Sequence, residues 1–124
     1  MTYVLLNAAL VEAIHDAVLN PGELQGRALN KSLEGALARV ENRLHYDLIG
    51  DVFDLAAAYV IAIAQGHCFN DANKRTAHQC LDTCLDLNGV QIDWQALDVG
   101  PTIIRAAQGL LDEGELAHWL RQRL

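Results

Sequence analysis

The chain has 124 residues, the length of one ordinary domain, and 52% of them are hydrophobic, which is enough to build a core. Its 9 basic and 16 acidic side chains give a net charge of -7, which opposes binding to nucleic-acid phosphates or anionic lipid. No apolar run reaches the roughly 18 to 20 residues of a membrane span, and the start lacks a secretory signal pattern. We therefore expect a single cytoplasmic domain, residues 1–124, without nucleic-acid or membrane partners.

Hydrophobic residues recur at spacings of three and four along most of the chain, and the alternation typical of strands is not sustained anywhere. An all-α fold is therefore predicted. A first amphipathic helix is expected over residues 7–19 and a second over residues 31–44. A polar, glycine-containing loop over residues 21–30 joins them.

The third predicted helix, residues 51–64, is apolar on almost every face, which is typical of a helix at the centre of a domain. Asp51 is its predicted cap, and Gly66 is expected to take the left-handed conformation that ends it. A fourth helix is predicted over residues 73–87, before an Asn-Gly stop. The nine residues 67–75 thus form a polar elbow between the two central helices.

After the fourth helix the pattern predicts shorter elements. Residues 90–92 are expected to be extended, and Asp93 is expected to cap a helix over residues 94–98. Proline then opens another helix over residues 101–108, because its fixed backbone angle suits a first helical turn. The last predicted helix covers residues 112–123. All of these elements are interpreted as scaffold.

The three cysteines, Cys68, Cys80 and Cys84, lie close together in the sequence. An odd number in a short span is typical of free thiols in a reducing compartment. Cys80 and Cys84 are four residues apart on one apolar helix face, so core packing is favoured over a zinc site that would include His78.

The elbow carries the residues best suited to chemistry. His67 ends one helix, while Asp71, Lys74 and Arg75 surround the start of the next. The first turn of a helix offers unpaired amide groups and the positive end of a dipole, so it suits an anion such as phosphate. Cations in that turn oppose the dipole, which favours an anionic ligand. A carboxylate beside a polyphosphate can bind Mg2+, and a neutral imidazole can accept a hydroxyl proton.

The same residues also permit an ordinary structural interpretation. His67 would then be a loop histidine, Asp71 a helix cap, and Lys74 and Arg75 solvated surface charge. Composition and spacing do not decide between the two interpretations.

Residues 67–76, His-Cys-Phe-Asn-Asp-Ala-Asn-Lys-Arg-Thr, resemble the signature loop of the Fic/Doc (Fido) superfamily, H-x-F-x-[D/E]-G-N-G-R. The second half, A-N-K-R, is similar to the death-on-curing (Doc) toxin branch. The Ile-His-Asp sequence at residues 14–16 agrees with that branch. The resemblance implies an all-α, compact Fic/Doc (Fido) domain of about six helices, with the active-site loop between two central helices.

The resemblance also implies roles for individual residues. His67 would be the general base that deprotonates a Ser or Thr hydroxyl of a target protein. Phe69 would be the buried anchor of the loop, and Asp71 would bind Mg2+. The nucleotide phosphates would be held by three residues, Asn73, Lys74 and Arg75.

The loop over residues 43–50 takes the place at which the superfamily has a target-positioning flap. His45 and Tyr46 are therefore candidates for target binding there. A plain connecting loop is the alternative interpretation.

Ordinary Fic enzymes transfer AMP, and they carry glycine at the position of Lys74 and a second arginine at the position of His78. A lysine side chain would obstruct the usual seat of the polyphosphate. This chain resembles the Doc branch in both departures, and that branch transfers the gamma-phosphate of ATP instead. The resemblance implies a kinase that requires ATP and Mg2+, with protein AMP transfer and non-catalytic binding as the alternatives.

In that branch the target is translation elongation factor Tu, and its phosphorylation arrests protein synthesis. The resemblance thus implies a toxin of a toxin-antitoxin pair. The cognate antitoxin would bind through a disordered tail that folds on contact.

Overall fold

The computed structural model describes residues 2–123, and this part of the chain forms six α-helices. The bounds of the helices are α1 Ala8–Val18, α2 Leu33–His45, α3 Val52–Gly66, α4 Asn73–Leu87, α5 Ala96–Ala107 and α6 Glu113–Arg121. The range contains no strand, and its extended pairing is one isolated antiparallel bridge between Arg27 and Phe69. The predicted all-α class is confirmed.

Helix α3 lies at the centre of the domain, as its sequence predicts. Residues 55–64 are all buried, and the helix packs against α2, α4, α5 and α6. It is buried all round because its sequence offers no polar face, and its many alanines let neighbouring backbones come close. The carboxyl end of α3, and the elbow that follows it, are therefore held by the whole core.

The start of α3 is joined to the last helix by ion pairs. Asp51 caps α3 by accepting a hydrogen bond of 2.9 Å from the amide of Asp54. The guanidinium of Arg121, in α6, donates to the Asp51 and Asp54 carboxylates at 2.7 Å each. This arginine holds the pKa of Asp51 below its ordinary value.

Two predictions for the segment after α4 are wrong. The two short helices predicted for residues 94–98 and 101–108 form a single helix, α5. Asp93 does not cap this helix, because Gln95 occupies the N-cap position and makes no side-chain capping bond.

Within residues 2–123, no helix has the length and hydrophobicity of a membrane span.

Helix α5 continues through Pro101 although proline removes a backbone donor from the helix. Packing explains this difference, since the buried face of α5 runs without interruption past the proline. Burying several aliphatic side chains stabilises the helix by more than one lost hydrogen bond costs. The buried residues on this face are Val99, Ile103 and Ala106.

The connection between α3 and α4, residues 67–72, begins and ends with residues in the left-handed conformation, His67 (φ 49°) and Ala72 (φ 63°). The prediction that Gly66 would adopt this conformation is wrong, because Gly66 is still helical. A Cβ atom on Gly66 would lie 3.1 Å from the Sγ atom of Cys68, so glycine provides space there rather than an unusual backbone angle. Left-handed backbone costs an ordinary residue roughly 1–2 kcal/mol.

We expect the Ala72→Gly substitution to raise the free energy of unfolding by up to about 1 kcal/mol, because glycine tolerates the left-handed conformation. Ala77→Gly, inside α4, is the matched control and should lower the same quantity by about 1 kcal/mol. Urea denaturation of both variants measures the difference. A loss of stability in both would contradict the assignment of strain to Ala72.

We expect Asp51→Asn to lower the free energy of unfolding at neutral pH by less than about 1 kcal/mol, because the pair with Arg121 is partly exposed. The pKa of Asp51 is lowered in the folded state, so the charge stabilises the fold above the unfolded pKa of about 4. This contribution disappears as the pH falls through the lower, folded pKa, and the difference between variant and wild type should close in acid.

Urea denaturation at several pH values tests this expectation. Asp112→Asn, at the cap of α6, is the control, since no arginine pairs with Asp112 among the described residues and its difference should be smaller. A difference for Asp51→Asn that is the same at every pH would contradict a charge effect.

Candidate active site

A cavity of about 480 Å³ opens where α3, α4 and α5 meet, a volume within the range of small-molecule sites. The predicted elbow residues that line it are His67, Asp71, Asn73, Lys74 and Arg75. The chain therefore brings the candidate base, the candidate metal ligand and the cationic start of α4 to one space.

Several lining residues were not predicted as members of the site. Helix α5 forms one wall, and the loop between α1 and α2 contributes a carboxylate. No periodicity or short motif connects these segments to the elbow. The additional lining residues are Glu23, Ala64, Asn70, His78, Gly100, Ile103 and Ile104.

The side chain of Phe69 is buried and holds the elbow against the core, which is the position expected of an anchor. Its side chain is 3% exposed, and its ring stacks on the ring of His15, with 3.9 Å between centroids and 9° between planes. His15, in α1, is itself 1% exposed, and its Nε2 atom lies 2.8 Å from the main-chain oxygen of Asp71. One buried imidazole thus supports both the phenyl ring and the backbone of the elbow.

Asn73 closes the elbow from the other side. Its Oδ1 atom accepts from the Phe69 amide at 3.1 Å, and its Nδ2 donates to the Phe69 oxygen at 2.9 Å. Both polar atoms of the Asn73 side chain therefore bind within the loop. The predicted contact with phosphate would have to come from the main chain of Asn73. Among the described residues, no acceptor binds the amides of residues 73–75, as expected of a first helical turn.

The loop between α1 and α2 forms a second layer over the elbow. The amide of Ala28 donates to the oxygen of Cys68 at 2.8 Å, and the amide of Asn70 donates to the oxygen of Gly26 at 3.2 Å. The Asn70 side chain also donates to the main-chain oxygens of residues 25–27. This segment, predicted only as a connecting loop, is therefore the one that borders the candidate site.

The segment over residues 43–50, which starts with the last turn of α2, does not reach the cavity. It precedes the start of α3, whereas His67 follows its end, and a helix of 15 residues is about 22 Å long. His45 and Tyr46 contact each other edge to face, and Tyr46 is 69% exposed. These two residues line no part of the cavity, and their role in target binding stays a prediction.

Arg75 already has an anionic partner within the chain. Its guanidinium donates to the two carboxylate oxygens of Glu23 at 2.7 and 3.2 Å, and to the main-chain oxygen of Val18 at 2.8 Å. This contact with Arg75 lowers the pKa of Glu23. Lys74 is exposed and forms no ion pair with any described residue. The positive charge free to meet a ligand is thus mainly that of Lys74.

His67 presents its imidazole to the cavity from the end of α3. The residue is exposed, and its ring makes no hydrogen bond to the described part of the chain. Its backbone is held in a conformation that is unfavourable for a residue with a side chain, and such conformations cluster at functional sites. The His67 ring therefore faces the cavity without a hydrogen-bond partner among the described residues.

Asp71 fits the requirements of a magnesium ligand. One of its carboxylate oxygens, Oδ2, accepts from the Leu24 amide at 2.8 Å, and no described residue donates to the other. Mg2+ is commonly held by one or two carboxylates together with substrate phosphates and water. The described residues contain no group of three or more His, Cys, Asp or Glu side chains that would enclose a metal ion.

The cysteines take no part in the site. All three are buried and free, as predicted. Burial raises the pKa of Cys80 and of Cys84 to about 12, so both thiols stay protonated. Core packing, rather than zinc binding, is their role.

Comparison with known proteins identifies the family of this chain. A model of the Fic/DOC family matches residues 5–85. The chain is 37% identical to a protein named Protein kinase doc, from Escherichia phage P1, over 111 residues that cover 89% of this chain and 87% of the relative. It is 38% identical over 72 residues to a protein named Toxin Doc, from Mycolicibacterium smegmatis (strain ATCC 700084 / mc(2)155), covering 57% of this chain and 55% of that one. The chain belongs to the Fic/DOC family, in the branch of the Doc toxins.

Proposed function

We propose that this chain is a toxin that acts as a protein kinase, transferring the terminal phosphoryl group of ATP to a Ser or Thr hydroxyl of a target protein. The observation that carries this proposal is the meeting of His67 with the cationic first turn of α4 in one cavity. The names of the two relatives, one a kinase and one a toxin, support it.

The proposed reaction assigns each residue a simple task. The hydroxyl oxygen of the target forms a bond to the terminal phosphorus, the bond from that phosphorus to the bridging oxygen breaks, and ADP leaves. His67 is the catalytic residue that takes the hydroxyl proton. Lys74, Arg75 and the free amides of residues 73–75 neutralise charge on the phosphates, which is the main requirement of phosphoryl transfer.

Asp71 would hold Mg2+ through the carboxylate oxygen that receives no hydrogen bond from a described residue. A bound Mg2+ neutralises phosphate charge and orients the polyphosphate. The bond from Leu24 to the other oxygen keeps the carboxylate in one orientation.

Lys74 favours phosphoryl transfer over AMP transfer. Its side chain is exposed at the start of α4 and free of ion pairs among the described residues, so it would occupy the space beside the first turn. A polyphosphate laid along that turn would meet the lysine stem. The opposite orientation of ATP, which presents the terminal phosphate to His67, avoids this conflict.

The proposed target is elongation factor Tu, so the expected cellular effect is arrest of translation and growth in the cytoplasm. A cognate antitoxin with a disordered tail that folds on binding is the proposed partner. Both assignments rest on the Doc resemblance of residues 67–76.

The kinase proposal is tested by intact mass analysis of elongation factor Tu after incubation with this protein, ATP and Mg2+. We expect a mass gain of one phosphoryl group. His67→Ala should reduce the rate by at least about 100-fold, because general base catalysis typically contributes that much. His67→Ala should also abolish growth arrest on induction.

His118→Ala is the matched control for this experiment, because His118 is exposed in α6 and lies outside the cavity. It should modify the target at the wild-type rate. A mass gain of one AMP would identify the protein as an AMP transferase instead. Full toxicity of a folded His67→Ala variant would exclude the proposed role of the imidazole.

The chain contains two lysines, Lys31 and Lys74, which provide a matched pair. Lys74→Ala should weaken binding of Mg-ATP about tenfold, since a charge-assisted hydrogen bond contributes roughly that much. Lys31→Ala, outside the cavity, should leave the affinity unchanged. Isothermal titration calorimetry measures both, and equal affinities for the two variants would remove Lys74 from the phosphate site.

A further inference from the structure

His78 lines the same cavity as the elbow residues but has no role in the proposed reaction. It lies four residues after Lys74 in α4, so the two side chains project from one face of the helix. The His78 side chain is 19% exposed, which leaves its ring accessible from the cavity while most of it is covered.

Asp82 stands behind the His78 ring, one further turn along α4. Its Oδ2 atom lies 3.9 Å from His78 Nε2, and its Oδ1 atom accepts a hydrogen bond of 3.3 Å from Trp94 Nε1. Burial raises the pKa of Asp82, while the facing His78 ring and the Trp94 N–H act in the opposite direction. The indole thus fixes a partly buried carboxylate, and the carboxylate faces an imidazole that opens on the cavity.

The charge balance of the cavity explains why such a ring would matter. The cations Lys74 and Arg75 are matched in number by the carboxylates of Glu23 and Asp71. Arg75 is bound to Glu23 at both carboxylate oxygens. A polyphosphate brings several negative charges to this cavity, so a further cation beside Lys74 would stabilise it.

We propose that His78 is a nucleotide-binding residue, whose imidazolium form donates a hydrogen bond to a phosphate oxygen in the cavity, and that Asp82 is the positioning residue that stabilises this charged ring. The inference rests on the proposed function, because it takes a nucleotide as the ligand. It adds a pH-dependent contact to that function.

The sign of the pH dependence follows from the charge of the ring. An imidazole changes charge between about pH 5 and pH 8, so the contribution of His78 to affinity is present at the acid end and is lost as the pH rises. Helix α5 faces the ring with uncharged residues at the cavity wall. The titratable or charged groups of the other elements at the cavity or behind the ring are Glu23, His67, Asp71, Lys74, Arg75 and Asp82.

The test is calorimetric titration of the full chain with Mg2+ and a non-hydrolysable ATP analogue at about pH 5.5 and about pH 8. His78→Gln should bind about tenfold more weakly than wild type at the lower pH, the effect of losing a charge-assisted hydrogen bond. At the higher pH the two affinities should converge. Comparison with the variant cancels the titration of His67 and of the phosphates themselves.

His118→Gln, an exposed histidine in α6 outside the cavity, is the matched control and should bind as wild type does at both pH values. Asp82→Asn keeps an acceptor for Trp94 but removes the charge behind the ring. The pH at which its affinity falls should therefore move lower, a change that a purely structural role for Asp82 would not produce.

The outcomes separate this inference from the proposed function. If wild type binds the analogue and folded His78→Gln has the same affinity at both pH values, the role of His78 is refuted and the kinase proposal stands. If wild type binds no nucleotide at either pH, both fail. A loss of affinity in His78→Gln that is equal at both pH values also refutes the imidazolium contact.

Discussion

The stack of Phe69 on His15 is the contact on which the candidate site depends. Two buried rings meet at 3.9 Å, and the same imidazole bonds the main chain at Asp71. Asn73 clasps the main chain of Phe69 from the opposite side. A loop of this length would otherwise be mobile, because it crosses between two helices and has few internal bonds. Because these contacts fix the middle of the loop, His67 and the start of α4 keep a fixed position relative to each other.

The electrostatics of the cavity arise from opposite helix ends placed side by side. Helix α3 delivers an imidazole at its carboxyl end, and α4 delivers unpaired amides and cations at its amino end. Two cations in a first turn are unfavourable for an isolated helix. Here Glu23 compensates the charge of Arg75 from within the chain and holds its guanidinium in one orientation. Lys74 forms no ion pair with any residue that the structure describes.

The predictions that fail show where packing outweighs local preference. Proline at position 101 indicated the start of a new helix, but α5 continues past it. Burial of the aliphatic side chains on the continuous face of α5 stabilises the helix by more than the lost hydrogen bond costs. Gly66 indicated a left-handed helix end, yet His67 carries that conformation. The glycine is required instead for the close approach of Cys68. In both cases the residue type matters to the structure, but not in the way that its local preference predicts.

The sequence by itself determined the helical class, the central position of α3 and the place of the polar elbow at residues 67–75, because periodicity, caps and a short motif are local properties of the chain. Only the tertiary structure decided which other residues reach the cavity. Glu23 binds Arg75 although the two residues lie 52 positions apart in the sequence. Helix α5 forms a wall of the cavity that no sequence motif predicts. It also decided that the loop before α2, rather than residues 43–50, borders the elbow. Contacts between distant segments depend on how helices pack, and a linear pattern does not record that packing.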